Sequence, residues 1–334
     1  MNYPIRLFQA EVSWADLKPE EFLYVPCNVC GSFDFKSLAS LIINWCEFFL
    51  VQCKECGLIW RNPLPGRTFS YSLYSPQYFN VAKQPAVFTD VESQHHVGVA
   101  RSKLEDQVGI ADERPQDREF RDAISDEVVR AWMSRGIQPT DATGKCRRLL
   151  EIGGGRGYLQ RAAQRAGWET MGLEISPHGI KDAIANGLLV FPIPLDDFCT
   201  KYVPYKKYFD VIVAYDFLEH VDDPARVLRM IHFLLVDAGH FILRIPETKA
   251  CPRLHLIDHV WHFPCGALDI LMQKEQFEIF HAHYSGQFKA SNLETHENIT
   301  FYAKKLAESL EPRKLVVIQN PLEKWVTEYQ KSKT

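Results

Sequence analysis

Leu149-Leu-Glu-Ile-Gly-Gly-Gly-Arg-Gly-Tyr158 decides the fold. An apolar strand end runs into glycines at 153, 154, 155 and 157, and a helical pattern follows at once. Twenty-odd residues later a second strand, Thr170-Met-Gly-Leu-Glu-Ile175, ends beside an acidic residue. At the first crossover of a doubly wound sheet, glycines let the backbone approach a nucleotide-like ligand, the helix N-terminus faces it, and a carboxylate such as Glu174 can grip ribose hydroxyls.

The glycine spacing separates two kinds of ligand. A dinucleotide loop, G-x-G-x-x-G, started at Gly153 would need glycine at 158, where Tyr158 stands. What is present, Glu-x-Gly-x-Gly-x-Gly over Glu151, Gly153, Gly155 and Gly157, resembles motif I of class I S-adenosylmethionine (SAM)-dependent methyltransferases. Ordinary turns also carry several glycines, so the elements downstream matter. Leu188–Pro194 reads as a third strand, followed by Leu195-Asp-Asp-Phe198. Tyr208–His220 reads as an apolar fourth strand running to a Glu219-His220 pair, and Val221-Asp-Asp-Pro224 opens a helix. Ala238–Pro246, Phe277–Tyr284 and Asn298–Lys304 supply strands five, six and seven, the last antiparallel. Strands alternating with helical patterns predict an α/β fold, here a doubly wound seven-stranded, Rossmann-like sheet. The resemblance spans about Lys145 to Lys305. It implies that SAM is held by Glu151, Gly153, Gly155, Gly157, Glu174 and Ile175, by Asp196 or Asp197 at the adenine amine, and by Tyr215 at the end of strand four.

A second feature lies near the start. Cys27-Asn-Val-Cys30-Gly and Cys53-Lys-Glu-Cys56-Gly are paired C-x-x-C-G knuckles, the spacing of a closed four-thiolate site. Cys27, Cys30, Cys53 and Cys56 are expected to hold a structural Zn²⁺, and the donor set suits iron as well. Two disulfides or redox pairs are the competing reading. Cys46, Cys146, Cys199, Cys251 and Cys265 are scattered. So small a ribbon buries little apolar area, and metal binding would supply much of its folding free energy. Trp45 and Phe48-Phe-Leu-Val51 are its expected core.

At 334 residues with 46% hydrophobic content, the chain suits two main units. The expected division is a zinc-binding ribbon (1–62), an aromatic and helical connector (63–143), a SAM-binding domain (144–306) and a C-terminal extension (307–334), with Lys314–Ile318 as a strand and Pro321–Gln330 as a helix. A net charge of −4 and a pI near 6.3 argue against broad nucleic-acid affinity. No run of eighteen apolar residues predicts a membrane span, and the lack of an apolar leader points to a reducing cytoplasm. A homo-oligomer is compatible with all of this. In the connector, apolar residues at 120, 124, 128, 132 and 133 predict one buried helix face, and the charged run 112–122 reads as a solvated loop.

Methyl transfer needs an acceptor aligned with the sulfonium methyl and, for a hydroxyl or carbon acid, a base that titrates near neutrality. Glu219-His220 follows strand four, and His255-Leu-Ile-Asp-His-Val-Trp-His-Phe263 follows strand five. The resemblance implies an acidic-His pair near the acceptor, giving His220 and His259 as base candidates with Glu219 and Asp258 as partners. His220 bracing the cofactor loop is the alternative for that residue. Tyr74 and Tyr78, in the connector, either position an acceptor or pack the ribbon. Pro264-Cys265 resembles the nucleophile of 5-methylcytosine enzymes, but the Tyr-Asp-Phe after strand four lacks the matching proline, and the missing Asn/Asp-Pro-Pro-Tyr argues against transfer to an adenine or glutamine amide nitrogen. The whole arrangement resembles zinc-ribbon methyltransferases of sugar and secondary-metabolite pathways, including C-methyltransferases of nucleotide-linked deoxysugars. It departs from those in having only about 30 residues after Lys304, where they carry a further α/β domain. The expected activity is SAM-dependent methyl transfer, O- or C-directed, to a small molecule. An RNA methyltransferase docking through its ribbon, and a SAM-binding interaction protein without catalysis, are the alternatives.

Overall fold

The computed structural model describes residues 22–43, 46–65, 115–246, 259–285 and 298–306. Trp45, Tyr74, Tyr78, His255, Asp258 and the two elements expected in 307–334 lie outside the described residues. The described residues fall into two compact units, one drawn from Thr68–Val213 and the other from Lys18–Arg67 with Ala214–Thr334. In chain order the strands are β1 (Phe22–Leu23), β2 (Phe35–Ile43), β3 (Cys46–Cys53), β4 (Ile59–Asn62), β5 (Leu64–Pro65), β6 (Arg148–Ile152), β7 (Glu169–Leu173), β8 (Val190–Phe191), β9 (Phe209–Tyr215), β10 (Leu235–Pro246), β11 (Trp261–His262), β12 (Phe277–Ser285) and β13 (Asn298–Lys305). The helices are α1 (Pro115–Ser134), α2 (Tyr158–Arg165), α3 (Pro177–Ala185), α4 (Leu195–Lys201), α5 (Pro224–Leu234) and α6 (Cys265–Lys274). Seven strands form one sheet in the order β12-β13-β10-β9-β6-β7-β8. The seven-stranded α/β fold is therefore as expected.

In the first unit, β6 pairs in parallel with β7, and β7 with β8. Leu149, Leu150 and Ile152 are buried, the continuous apolar pattern of a strand covered on both faces. β8 spans two residues rather than seven, because Pro192 and Pro194 cannot donate to a ladder and Pro194 instead opens α4. The charged run becomes helical from Pro115 onward. Its buried stripe is Ser125, Val129 and Trp132, while Phe120 and Ile124 are exposed. The stripe expected from hydrophobic periodicity alone is thus rotated. Ion pairs set the rotation: Asp122 takes a bidentate contact from Arg161 at 2.7 Å, and Asp126 pairs with Arg165 at 2.7 Å. Both acids and both arginines are spaced i, i+4, so one face of α1 docks on α2 as two charge-assisted rungs. Trp132 then meets Trp168 edge-on at 6.3 Å.

In the second unit, β13 runs antiparallel to both β10 and β12. Phe241, Leu243, Ile245, Phe277, Phe301 and Ala303 are buried there. Lys305 is also buried, and its Nζ donates to the carbonyls of His232 and Leu235 at 2.8 and 2.9 Å. It satisfies carbonyls left open at the end of α5. The same unit contains the cysteine ribbon, a four-stranded sheet in the order β11-β4-β3-β2. Its fourth strand, Trp261–His262, comes from about 200 residues downstream of β4 and pairs antiparallel with it, Trp261 opposite Trp60. The ribbon core is Leu50, Val51, Leu58, Ile59, Trp60 and Trp261, all buried.

Candidate functional site

The glycine loop closes β6 onto α2. Gly153, Gly155 and Gly157 have φ of 70°, 54° and 76°. Gly157 is the residue preceding α2, and a Cβ on it would stand 2.3 Å from Leu188 Cδ1. Gly179, in the first turn of α3, is equally constrained, since a Cβ there would stand 2.7 Å from the Gly155 carbonyl oxygen. Glu174 braces the loop. One of its oxygens accepts from Gly155 N at 2.6 Å, and the other from Ile175 N at 2.8 Å and Ser176 N at 2.6 Å. Three of the roughly four acceptor positions of a carboxylate are thereby engaged.

Glu151 is buried and accepts from Gln160 N at 2.9 Å. Burial pushes its carboxyl up to about 8; the Gln160 N–H opposes the shift and the charge of Glu174 adds to it. Asp196 and Asp197 sit in the first turn of α4, where the helix dipole favours negative charge. Asp197 is engaged by Lys201 at 2.8 Å on the solvent side.

In the second unit, β9 ends at Tyr215, and the Arg244 guanidinium lies 4.5 Å over its ring. Arg244 also pairs with Asp216, whose backbone N–H donates to the Arg244 carbonyl at 2.9 Å. Asp216 holds φ at 51°, an uncommon value for a residue with a side chain. The chain then reaches Glu219 and His220. The Glu219 carbonyl accepts from Val260 N at 2.8 Å and Trp261 N at 3.1 Å. These bonds bring His259 against His220, ring centroids 4.7 Å apart and nearly perpendicular. His220 Nε2 lies 3.8 Å from a Glu219 carboxylate oxygen. One donor or acceptor atom from each of Glu219, His220 and His259 falls within 4.8 Å of the others. Glu219 is buried and both histidines are half-buried. His262 is buried with its ring 6.3 Å from His259. Two base candidates 39 positions apart in the chain thus form one cluster. Asp258 and Tyr78 lie outside the described residues.

The four ribbon thiols also converge. Cys27 Sγ is 3.4 Å from Cys56 Sγ, and Cys30 Sγ is 3.5 Å from Cys53 Sγ. All four sulfurs lie within 4.8 Å of one another, and none forms a disulfide. Tetrahedral zinc with bonds of about 2.3 Å needs sulfurs roughly 3.8 Å apart, so the donor set fits the metal. The Cys56 hydrogen bond holds the Cys27 thiol down to about 6, while Cys56 itself is raised; burial pushes Cys30 up to about 12.

Sequence reasoning missed Asn28 and Trp261. Asn28, inside the first knuckle, donates to Asp223 Oδ1 at 2.9 Å and accepts from Ala225 N at 2.8 Å. The Asp223-Pro224 helix start was legible as a cap, but nothing local marks Asn28 as its second half.

The sheet order with its antiparallel last strand and the glycine loop define a Rossmann-like methyltransferase fold. The chain belongs to the methyltransferase-domain family, whose pattern matches residues 117–288, just over half of it. That membership makes residues 117–288 a methyltransferase domain. It is 26% identical over 129 residues to a ubiquinone biosynthesis O-methyltransferase of Psychrobacter cryohalolentis, covering 36% of this chain and 49% of that one. It is 33% identical over 98 residues to the mitochondrial arginine-hydroxylase NDUFAF5 of Rattus norvegicus, covering 28% and 27%. The chain spans about half the length, or less, of these curated relatives. The solved 1,6-didemethyltoxoflavin-N1-methyltransferase of Burkholderia thailandensis is 17% identical with a TM-score of 0.44, over 66% of this chain and 93% of its own. Among the described residues, no helix is long and apolar enough to cross a membrane.

Proposed function

We propose that this chain transfers the methyl group of SAM to a small-molecule acceptor, a sugar-like compound or secondary metabolite methylated at oxygen or carbon. The observation that carries the reading is the His220–His259 pair over buried Glu219, set just past β9 in a chain of the methyltransferase family. In open α/β sheets, ligands bind beyond the carboxyl ends of the strands. The named activity of the Psychrobacter relative supports a small molecule as acceptor.

In this reading, Glu151, the 153–157 loop, Glu174, Ile175, Asp196 or Asp197 and Tyr215 hold SAM. A ribose hydroxyl would use the remaining acceptor position of Glu174. The acceptor's lone pair attacks the methyl carbon in line with the departing sulfur, and S-adenosylhomocysteine leaves. The acceptor proton passes to an imidazole nitrogen of the histidine pair, and the buried Glu219 carboxylate stabilises the imidazolium. Cys27, Cys30, Cys53 and Cys56 hold Zn²⁺, which supplies structure and no step of the chemistry. Four reduced thiols are in keeping with a cytoplasmic setting. We assign the ribbon to residues within 1–62 and the cofactor domain to residues within 144–306, with 63–143 as connector.

The test is calorimetric titration with S-adenosylhomocysteine alongside metal analysis, followed by an acceptor screen read by mass spectrometry. Micromolar binding, about one zinc per chain and a methylated product lost in the His220→Asn, His259→Asn double variant are expected. A folded, metal-loaded protein that does not bind S-adenosylhomocysteine refutes the proposal. Methylation of RNA with salt-sensitive binding, and of no small molecule, would move the acceptor to nucleic acid.

A further inference from the structure

We infer that Asn28 and Trp261 are positioning residues. They make the metal ribbon the mount of the loop carrying Glu219 and His220, so that loading of the four-cysteine site governs the geometry of the histidine pair. The inference rests on the reading of that pair as the base.

Residues 219–226 are gripped from two sides. On one side stands the first knuckle, whose turn is closed by Gly31 N donating to the Cys27 carbonyl at 2.7 Å. Between the two thiols, Asn28 spends both ends of its amide on the start of α5: Nδ2 on Asp223 Oδ1 and Oδ1 on Ala225 N. Asp223 meanwhile caps the helix by accepting from Arg226 N at 2.9 Å. A flipped Asn28 amide would oppose donor to donor at Ala225 N, so the network fixes its orientation. Asn28 is thus a second cap, supplied from a knuckle nearly 200 residues away in the chain. The knuckle is tied down again where Lys274 Nζ donates to the Val29 carbonyl at 3.1 Å.

On the other side, β4 holds β11. Trp60 pairs with Trp261, Arg61 N donates to the Val260 carbonyl at 3.1 Å, and the two indoles stack at 6.3 Å. Trp261 then reaches the loop through its backbone N–H to the Glu219 carbonyl and through Nε1 to the Val221 carbonyl at 2.6 Å. Val260 N adds the second bond to Glu219. His259 is the next residue along, so its approach to His220 is set by these same bonds.

A two-residue strand cannot hold itself in place; it stays only while its partner strand does. That partner, β4, leaves the second knuckle after Gly57-Leu58, and Cys53 N donates to the Leu58 carbonyl at 2.8 Å. Both grips therefore originate in knuckles whose shape the four sulfurs set. Metal loss loosens both together, and the histidine pair with them. The glycine loop belongs to the other compact unit and retains its own brace at Glu174.

The test uses full-length protein and needs no acceptor. Metal is stripped from the parent with a chelator, and Asn28→Ala and Trp261→Phe are prepared metal-loaded. Each sample is read by hydrogen exchange at the amides of residues 225, 260 and 261, by the imidazole NMR signals of His220 and His259, and by S-adenosylhomocysteine calorimetry. Exchange is expected to quicken at least about tenfold, with the imidazole signals shifted or broadened. The cofactor-product affinity should stay within about twofold. Gln273→Ala, on the exposed face of α6, should change none of the three. Unchanged exchange and imidazole signals after stripping and in Asn28→Ala would overturn the inference. So would affinity for S-adenosylhomocysteine falling in step with them, because the effect would then be global. If the parent binds no S-adenosylhomocysteine, the methyltransferase reading falls, while exchange and imidazole signals still judge the mount.

Discussion

Replacing Glu151 with glutamine should remove a pH-dependent weakness from the centre of the fold. The carboxyl is buried, and its protonation midpoint lies at about 8 instead of the usual 4.5. Between those values the native state keeps a proton that the unfolded chain releases. Stability from this group is therefore fully present below 4.5 and is lost as pH rises towards 8, the reverse of a salt-bridged carboxylate. The whole shift corresponds to about 5 kcal/mol, of which roughly 3 to 4 kcal/mol falls between pH 5 and pH 8. Glutamine keeps the acceptor for Gln160 N and cannot ionise. Urea unfolding of parent and Glu151→Gln at pH 5, 6, 7 and 8, followed by circular dichroism without cofactor, isolates the residue because other titrations cancel in the difference. The variant should gain on the parent steadily, by roughly 3 kcal/mol over that range. A difference that stays flat would mean that Glu151 is already ionised in the native state and that the burial argument is wrong.

Lys305→Met should destabilise by about 2 kcal/mol, since the His232 and Leu235 carbonyls lose a charged donor in a dry setting; a change under about half of that in chemical denaturation would contradict it. Gly179→Ala should weaken S-adenosylhomocysteine binding about tenfold, because the methyl drives into the Gly155 carbonyl rather than into a yielding side chain; unchanged affinity would show that the loop tolerates the shift. Cys27→Ser should lower bound metal well below one equivalent by elemental analysis and unfold the ribbon, with full metal content counting against the four-sulfur site. Asp122→Ala should cost about 1 to 2 kcal/mol through loss of the Arg161 fork, whereas loss of nothing measurable would reduce that pair to surface decoration.

Much of this is legible in the sequence. The loop, the succession of strands along the chain and the cysteine knuckles each depend on residues close in sequence, where spacing translates directly into geometry. Gly157 must be glycine both for its φ and for Leu188, and the first reason is visible in sequence while the second is not. The length of β8 could have been trimmed from Pro192 and Pro194 alone. The rotation of α1 could not, because hydrophobicity at 120 and 124 pointed one way and the decisive contacts, Asp122 and Asp126 with Arg161 and Arg165, lie on another helix. The meeting of His220 with His259 was foreseeable only as two candidates; the Val260 and Trp261 bonds to the Glu219 carbonyl that join them are backbone contacts without a sequence signature. The spacing after the second strand marks Glu174 as a ribose candidate; its hydrogen bond from Gly155 N has no signature in the sequence.

The two residues of β11 also bear on how such a chain is inherited. A fragment ending at residue 62 would lose Trp261 from the face of Trp60 and leave β4 with open backbone donors and acceptors, an invitation to pair with a neighbouring molecule. Moved alone, the knuckles would leave β4 without its partner strand. Recombination that grafted them onto another catalytic sheet would have to carry the distant Val260-Trp261-His262 stretch as well, or evolve a substitute for it. Descent should then show the amino-terminal cysteines and this late tripeptide gained or discarded as one heritable character, however far apart they are written.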